Sequence, residues 1–237
     1  MNKQELINNL KGSLIVSVQA YPGEPLRDPY VMAKIAEAVE IGGASAIRCQ
    51  GLKDIKAIKS AVSIPVIGLL KVGSDMSVPF ITPTLDDVEK CFDAGADVVA
   101  LDATGRPRPD GRTFEETVEA VLGSRGEEAF LMGDCASFED IERSYACGCT
   151  FASTTLSHAG KAINQPVSQG PNLELLSQAH TAFPDKPTIC EGSVHAPQDV
   201  IDALAAGAFA VVVGTAITHP TTLTSWFAAA TPSADKG

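Results

Sequence analysis

The chain alternates short apolar runs with segments of helical periodicity, and this alternation constrains its fold more than any other feature. Between the runs, apolar residues recur at helical spacing, as at Val31, Ile35, Ala38 and Val39. No linker rich in Pro, Gly or Ser divides the 237 residues, so the pattern predicts one α/β domain spanning 1–237. Eight runs have the length of buried parallel strands. They are Leu14 to Gln19, Ala44 to Cys49, Pro65 to Lys71, Asp97 to Asp102, Ala129 to Asp134, Thr150 to Thr155, Pro187 to Glu191 and Phe209 to Gly214.

Polar residues end almost every run, which favours a closed single-domain (β/α)8 TIM barrel over an open doubly wound sheet. A barrel gathers the carboxyl ends of all its strands around one mouth, where substrates bind. We therefore expect a ring of substrate-binding side chains at the mouth, and a short helical segment over residues 1–12 before the first strand. The ring comprises Gln19, Arg48, Asp102, Arg106, Asp134, Thr154 and Thr155.

Lys71 and Glu191 form the candidate catalytic pair. They end the third and seventh runs, which face each other across an eight-stranded barrel. A lysine in an apolar mouth loses hydration, which lowers its pKa and makes it a competent base, acid or Schiff-base nucleophile. The alternative for Lys71 is a side chain that only reaches out to water from a strand end. A lysine and a carboxylate on opposite sides of one substrate are suited to moving a proton on and off one carbon.

The loops after the seventh and eighth runs are the candidate phosphate-binding segments. Gly192 and Ser193 follow the seventh run, and Gly214 and Thr215 follow the eighth. Backbone N–H groups in such loops bind anions, and barrels frequently hold phosphate at this position. We therefore expect these four residues to contact a phosphate group.

Charge and composition exclude other classes of partner. The net charge is −11 and the longest basic cluster is Arg106-Pro107-Arg108, so we expect no nucleic-acid surface. No apolar run approaches the ~20 residues that span a bilayer, and residues 1–10 lack the apolar core of a signal peptide. The six cysteines form no Cys-x-x-Cys pair and the four histidines no ligand spacing. These patterns predict reduced thiols in a cytoplasmic protein and no metal site.

The stretch from Leu101 to Gly111 is the most specific motif in the chain. It reads Leu-Asp-Ala-Thr-Gly-Arg-Pro-Arg-Pro-Asp-Gly. Together with segments spread over nearly the whole length, it resembles the N-acetylmannosamine-6-phosphate 2-epimerase family of bacterial sialic acid catabolism. The other matching segments are Leu14 to Ala20, Pro22 to Leu26, Ala46 to Arg48, Pro65 to Lys71, Ile81 to Thr84, Ala94 to Asp97, Thr154 to Ser157, Glu191 with Gly192, and Val211 to Thr218.

The resemblance implies a barrel enzyme that interconverts N-acetylmannosamine 6-phosphate and N-acetylglucosamine 6-phosphate by inversion at C2. It implies a small-molecule sugar phosphate as partner, and neither a redox cofactor nor a metal. It also implies that Lys71 and Glu191 are the acid/base residues, while Gln19, Arg48 and Asp134 bind or orient the substrate. The C2 proton lies beside the C1 aldehyde of the open-chain sugar, so its removal gives an enolate that can be reprotonated on the other face.

Three positions depart from the family pattern. Family members usually have Arg-Asp after the lysine, Gly-Arg after the glutamate and Arg after Ala-Ile-Thr. Here Val72 follows the lysine, and Ser193 and His219 occupy the other two positions. Lys161 and His195 are candidates to replace a lost phosphate contact.

Two other functions remain open from the sequence. One is a Schiff-base aldolase of the same fold, in which Lys71 attacks the substrate carbonyl. The other is a non-catalytic sugar-phosphate-binding protein that kept the pocket and lost turnover. The sequence also leaves open whether Trp226 and Phe227 form a homodimer contact or pack the last helix onto the barrel.

Overall fold

A computed structural model describes residues 2–73, 77–157 and 170–232. Within these ranges eight parallel strands follow chain order around a closed barrel, and β8 pairs with β1. The predicted (β/α)8 fold is therefore confirmed. The strands are β1 Leu14–Val18, β2 Ala46–Gln50, β3 Val66–Leu69, β4 Val98–Asp102, β5 Phe130–Asp134, β6 Phe151–Ser153, β7 Thr188–Glu191 and β8 Ala210–Val213.

Helices cover the outside of the barrel, and several begin at a side-chain cap. Asn2, Thr84, Thr113 and Ser137 each accept a hydrogen bond from the backbone N–H of the third helical residue, which in turn caps back. No helix among the described residues is long and apolar enough to cross a membrane. The helices are α1 Lys3–Leu10, α2 Pro29–Ile41, α3 Leu52–Lys59, α4 Leu85–Asp93, α5 Phe114–Arg125, α6 Phe138–Ala146, α7 Leu173–Ala182, α8 Pro197–Ala205, α9 Thr215–Thr218 and α10 Pro220–Ala229, with a 3-10 turn at Gly126–Glu128.

Side chains alternate along each strand between the barrel interior and the layer beneath the helices. Ile67 of β3 and Phe130 of β5 belong to the interior cluster. Leu6 and Leu10 of α1 are fully buried in the same cluster, so α1 closes the amino-terminal end of the barrel. The opposite end, where the strands finish, is left as the mouth.

Close contact between β3 and α3 depends on a glycine. A Cβ atom on Gly68 would lie 2.8 Å from both Ile55 Cδ1 and Ala96 Cβ. Real side chains do not approach that closely, so any larger residue would push the strand away from the helix layer.

The strands end slightly earlier than the apolar runs suggest. β1 stops at Val18, β3 at Leu69 and β6 at Ser153. Parallel strands diverge at the mouth, and loop segments then take over their backbone hydrogen bonds. Lys71, for example, forms an isolated antiparallel bridge with Ile81. The polar residues predicted at strand ends therefore lie in or just beyond the last turn of the barrel wall.

Candidate active site

A cavity of about 200 Å³ opens at the mouth of the barrel, bounded by the ends of β1, β3, β7 and β8. It brings together residues predicted as catalytic, substrate-binding and phosphate-binding, which are Gln19, Lys71, Glu191, Gly192, Ser193, Gly214 and Thr215. A wider depression of about 500 Å³ lies at the other end of the barrel, beside Lys59 and Asp97. These two side chains form an ion pair at 2.6 Å, so both charges are already paired with each other.

Lys71 projects into the cavity against an aromatic ring. Its Nζ lies 5.4 Å from the centroid of the Tyr21 ring, in cation–π geometry. Its surroundings lower its pKa to about 8, and the largest cause is desolvation by the protein atoms that crowd around the amine. The Arg48 charge contributes to this lowering, and the charges of Glu191 and Asp134 oppose it in part. A useful fraction of Lys71 is therefore neutral near physiological pH.

Glu191 ends β7 in a largely buried position beside a fully buried cation. Its Oε1 lies 3.2 Å from Arg48 Nε, and its Oε2 lies 3.1 Å from Thr155 Oγ1. Burial raises the pKa of Glu191; the Arg48 charge opposes that rise, and the Asp134 carboxylate adds to it. The net shift is upward, which suits a carboxyl group that must carry a proton during part of a reaction.

Arg48 and Asp134 form a forked ion pair beneath the cavity. Arg48 Nη2 donates to Asp134 Oδ2 at 2.6 Å, and Nη1 donates to Oδ1 at 3.1 Å, with both side chains almost completely buried. Burial alone would lower the pKa of Arg48, but Asp134 and Glu191 outweigh it and raise that pKa. The guanidinium is therefore a fixed positive charge. Among the described residues its Nε–H has no hydrogen-bond partner, and its contact with Glu191 is an ion pair.

Thr154 and Thr155, in the loop directly after β6, hold Glu191 in place. Thr155 Oγ1 lies 2.8 Å from Asp134 Oδ1 and 3.1 Å from Glu191 Oε2, but one hydroxyl has a single proton to donate. Both contacts are hydrogen bonds at once only when one of the two carboxyl groups supplies a second proton, as a protonated Glu191 would. Thr154 Oγ1 donates to the Glu191 carbonyl at 2.9 Å and accepts from its N–H at 3.0 Å. The two threonines thus fix the backbone and the carboxyl group of Glu191.

Gln19 presents an unused acceptor to the cavity. Its Nε2 donates to Ser17 Oγ at 3.0 Å, whereas its buried Oε1 has no hydrogen-bond partner in the described part of the chain. An unpaired buried acceptor is costly, and a hydroxyl or amide of a bound ligand would satisfy it.

Asp102 and Arg106 are not part of the cavity wall. Asp102 is fully buried, its Oδ2 lies 2.5 Å from Arg106 Nη2, and its Oδ1 accepts from Thr104 Oγ1 at 2.6 Å. The Asp102 carboxylate is thus engaged by its own loop. This arrangement favours a role in shaping the loop after β4, and substrate contact by these two residues stays a prediction.

Two turns with unusual backbone conformation form the rest of the wall. Gly192 has φ of 106° and Ser193 has φ of 58°, a left-handed conformation uncommon for serine. Gly214 comes close to β1, since a Cβ there would lie 3.3 Å from Ser17 Cβ. Both predicted phosphate-binding turns therefore face one space. Lys161, the other candidate phosphate contact, lies outside the described residues.

Sequence reasoning did not assign Tyr21 to the site and noted His219 only as a departure. Their rings are 5.1 Å apart, and His219 Nδ1 lies 3.9 Å from Glu24 Oε1. Together they form the wall over Lys71. Tyr21 follows the end of β1 by three residues, so its place in the first strand-end loop was a usable signal. His195 also lines the cavity, and its ring packs edge-on against Trp226 at 5.0 Å.

Comparisons with known proteins agree with this geometry. The family described as "Putative N-acetylmannosamine-6-phosphate epimerase" matches residues 32–233. A protein of Cutibacterium acnes bearing the corresponding 2-epimerase name is 45% identical over 94% of this chain and 95% of its own length. A relative from Caldanaerobacter subterraneus with the same name is 43% identical over 95% and 93%.

A solved structure shows that the similarity extends to the fold. The N-acetylmannosamine-6-phosphate 2-epimerase from Clostridium perfringens superposes with a TM-score of 0.85 at 35% identity, covering 95% of this chain and 96% of that one. With the barrel, the mouth cavity and the lysine–glutamate pair already in place, the match over most of the length means that this chain belongs to the N-acetylmannosamine-6-phosphate epimerase family.

Proposed function

We propose that the protein is an isomerase that inverts C2 of N-acetylmannosamine 6-phosphate to give N-acetylglucosamine 6-phosphate, and the reverse. The observation that carries this proposal is the placement of Lys71 and Glu191 in one cavity from opposite strands of the barrel. The pKa of Lys71 is lowered to about 8 and that of Glu191 is raised. The pKa values of the two groups are therefore closer together than those of an ordinary lysine and an ordinary glutamate.

In the proposed reaction Lys71 removes the C2 proton of the open-chain sugar. The C–H electron pair becomes the C1–C2 double bond of an enolate, and the carbonyl electrons move to O1. Protonated Glu191 then delivers a proton to the opposite face of C2, and the carbonyl re-forms. Lys71 ends as ammonium and Glu191 as carboxylate, and exchange with solvent resets both.

The buried groups around Glu191 are proposed as positioning residues, and substrate contact by Arg48, Asp134, Thr154 and Thr155 stays a prediction. Arg48 and Asp134 contact each other and hold the glutamate and Thr155, and neither residue is part of the cavity wall. Gln19 is proposed to accept a hydrogen bond from a sugar hydroxyl or amide N–H through its amide oxygen, which has no partner among the described residues. Gly192, Ser193, Gly214 and Thr215 are proposed to bind the phosphate through backbone N–H groups and hydroxyls.

Deuterium exchange tests the function directly. Incubating the protein with N-acetylmannosamine 6-phosphate in heavy water should yield N-acetylglucosamine 6-phosphate that carries deuterium at C2, as followed by proton NMR. Ligand binding without C2 exchange would instead identify a non-catalytic sugar-phosphate-binding protein. A covalent adduct on Lys71 after borohydride treatment with substrate would identify the aldolase chemistry.

Removing the Ser193 hydroxyl should weaken phosphate binding. We expect Ser193→Ala to raise KM for the phosphorylated sugar about tenfold or more, because a hydrogen bond to a charged group is lost, with a smaller change in kcat. Ser193→Gly, which also lacks the hydroxyl but accepts the left-handed backbone, serves as the control for strain. Unchanged KM in both variants would place the phosphate elsewhere in the cavity.

We further propose a small free sugar phosphate as the only substrate class and the cytoplasm as the site of action. The net charge of −11 disfavours nucleic acid, and all six cysteines are free thiols, five of them buried. A homodimer contact is proposed at Phe227, which is 75% exposed on α10, whereas Trp226 packs against His195.

A further inference from the structure

Lys71 lies two residues beyond the carboxyl end of β3, and a segment from the following loop holds the chain at this point. Regular pairing between β3 and β4 ends at Gly68 with Val99. Beyond that point the two strands separate, and Ile81 with Thr82 fills the gap. The N–H of Asp102 donates to the Ile81 carbonyl at 2.9 Å, and Lys71 bridges Ile81 in antiparallel fashion.

Thr82 makes three of the hydrogen bonds that close this gap. Its N–H donates to the Leu70 carbonyl at 2.7 Å, and its Oγ1 accepts from the Leu70 N–H at 3.1 Å. The same hydroxyl donates to the Ala100 carbonyl of β4 at 2.7 Å. Both backbone groups of the residue before Lys71 therefore depend on Thr82.

The backbone at Thr82 is in an unfavourable conformation. The residue is fully buried and has φ of 44°, a region that β-branched side chains rarely adopt. Such strain persists only where the surroundings impose it, and it concentrates at functional sites. Here the three hydrogen bonds are what holds the residue in place.

The motif after β4 supports the same segment. Arg108 is buried, its Nη1 donates to the Pro83 carbonyl at 3.0 Å, and its Nη2 donates to the Asp102 carbonyl. The Ile81 to Thr84 and Leu101 to Gly111 motifs are thus hydrogen-bonded to each other, and together they support the backbone next to Lys71. Neither motif supplies a residue to the cavity wall.

We propose that Thr82 is a positioning residue that fixes the backbone of Lys71 and thereby the reach of its amine to C2. This proposal deepens the proposed function and rests on it. The hydroxyl is the essential part, because it joins the end of β3 to β4 where the strands themselves no longer pair.

Three substitutions separate the hydroxyl from the backbone strain. Thr82→Val keeps shape and strain without the hydroxyl, Thr82→Gly removes both, and Thr82→Ser keeps the hydroxyl. We expect kcat to fall roughly 10- to 100-fold in the Val and Gly variants, with KM little changed, because a small displacement of a reacting group has this effect. The Ser variant should recover most of the activity. Thr117→Val is the matched control, since the buried hydroxyl of this α5 residue also donates to a backbone carbonyl, that of Thr113.

A second readout does not need turnover. Lysine amines labelled by reductive methylation with ¹³C-formaldehyde can be titrated by NMR, and the signal missing from Lys71→Arg identifies Lys71. The pKa of Lys71 should rise from about 8 towards the ordinary value in Thr82→Val and Thr82→Gly, because a loosened side chain regains hydration. It should stay unchanged in Thr117→Val.

The outcomes are distinguishable. If the wild type shows no C2 exchange, the proposed function fails, and the titration still decides whether Thr82 positions Lys71. If either folded variant without the hydroxyl keeps wild-type kcat and Lys71 titration, the proposal is overturned. Equal losses of kcat in Thr82→Val and Thr117→Val would also overturn it, because the effect would then be one of general stability.

Discussion

Lys71→Ala should lower kcat for C2 epimerisation by at least about 100-fold, because a positioned acid/base group typically contributes that much. Deuterium incorporation at C2 should fall in parallel. Binding of the phosphate group should persist, since the turns at Gly192 and Gly214 are separate from the amine. Near-normal turnover in this variant would remove Lys71 from the mechanism.

Two further variants make the result specific. Lys71→Arg keeps a positive charge but cannot act as a base, because arginine stays protonated in proteins, so it should be as inactive as the alanine variant. Lys53→Ala removes an exposed lysine of α3 and should keep full activity. The unfolding temperature of Lys71→Ala should not fall, because the lowered pKa of Lys71 means that folding does not favour its charge.

The pH dependence follows from the same residue. The neutral amine is the basic form, so kcat/KM for proton removal should rise as pH increases through about 8. This increase of kcat/KM with pH should be absent from the residual activity of Lys71→Ala. If the same increase persists in that variant, another titrating group must cause it.

The fold could be predicted from the sequence because each level of the pattern points the same way. Apolar runs such as Pro65 to Lys71 are too short for buried helices, and polar residues collect at one end of each run. Closure of the barrel then brings the third and seventh strands face to face. The mouth and the Lys71–Glu191 pair follow from topology alone, without any knowledge of contacts.

It could not be predicted in this way which of the polar residues at the strand ends line the cavity and which contact other protein groups instead. Arg48 aligns in register with Ile67, four residues before Lys71, so its side chain starts deeper in the barrel and meets Asp134 instead of the cavity. Asp102 turns to Arg106 in its own loop. How deep each side chain lies in the barrel, and which residue it contacts, depend on the register between strands far apart in the sequence. A local sequence pattern contains no information on that register. The role of Thr82 is hidden for the same reason.

Arg48→Met should destabilise the protein by about 3–5 kcal/mol, because removing one partner of a buried ion pair leaves the other charge uncompensated. For a chain of this size, that loss lowers the unfolding temperature by roughly 6 to 20 °C, measurable by circular dichroism. Arg125→Met is the matched control, since Arg125 pairs with Glu89 and Asp93 near the surface. Its cost should stay below about 1 kcal/mol.

Arg48→Met should also change how stability depends on pH. Without the Arg48 charge, which opposes the rise, the pKa of Glu191 should move further above its unfolded value. A carboxyl group whose folded pKa is raised contributes its stability at low pH and loses it as pH rises through the folded pKa. The deficit relative to wild type should therefore be smaller at pH 5 than at pH 8. A deficit that is equal at both values, or an unfolding temperature equal to wild type, would mean that Arg48 does not set the charge balance beneath the cavity. C2 exchange should fall even where the variant is fully folded, because Glu191 would then lose the cation that orients it.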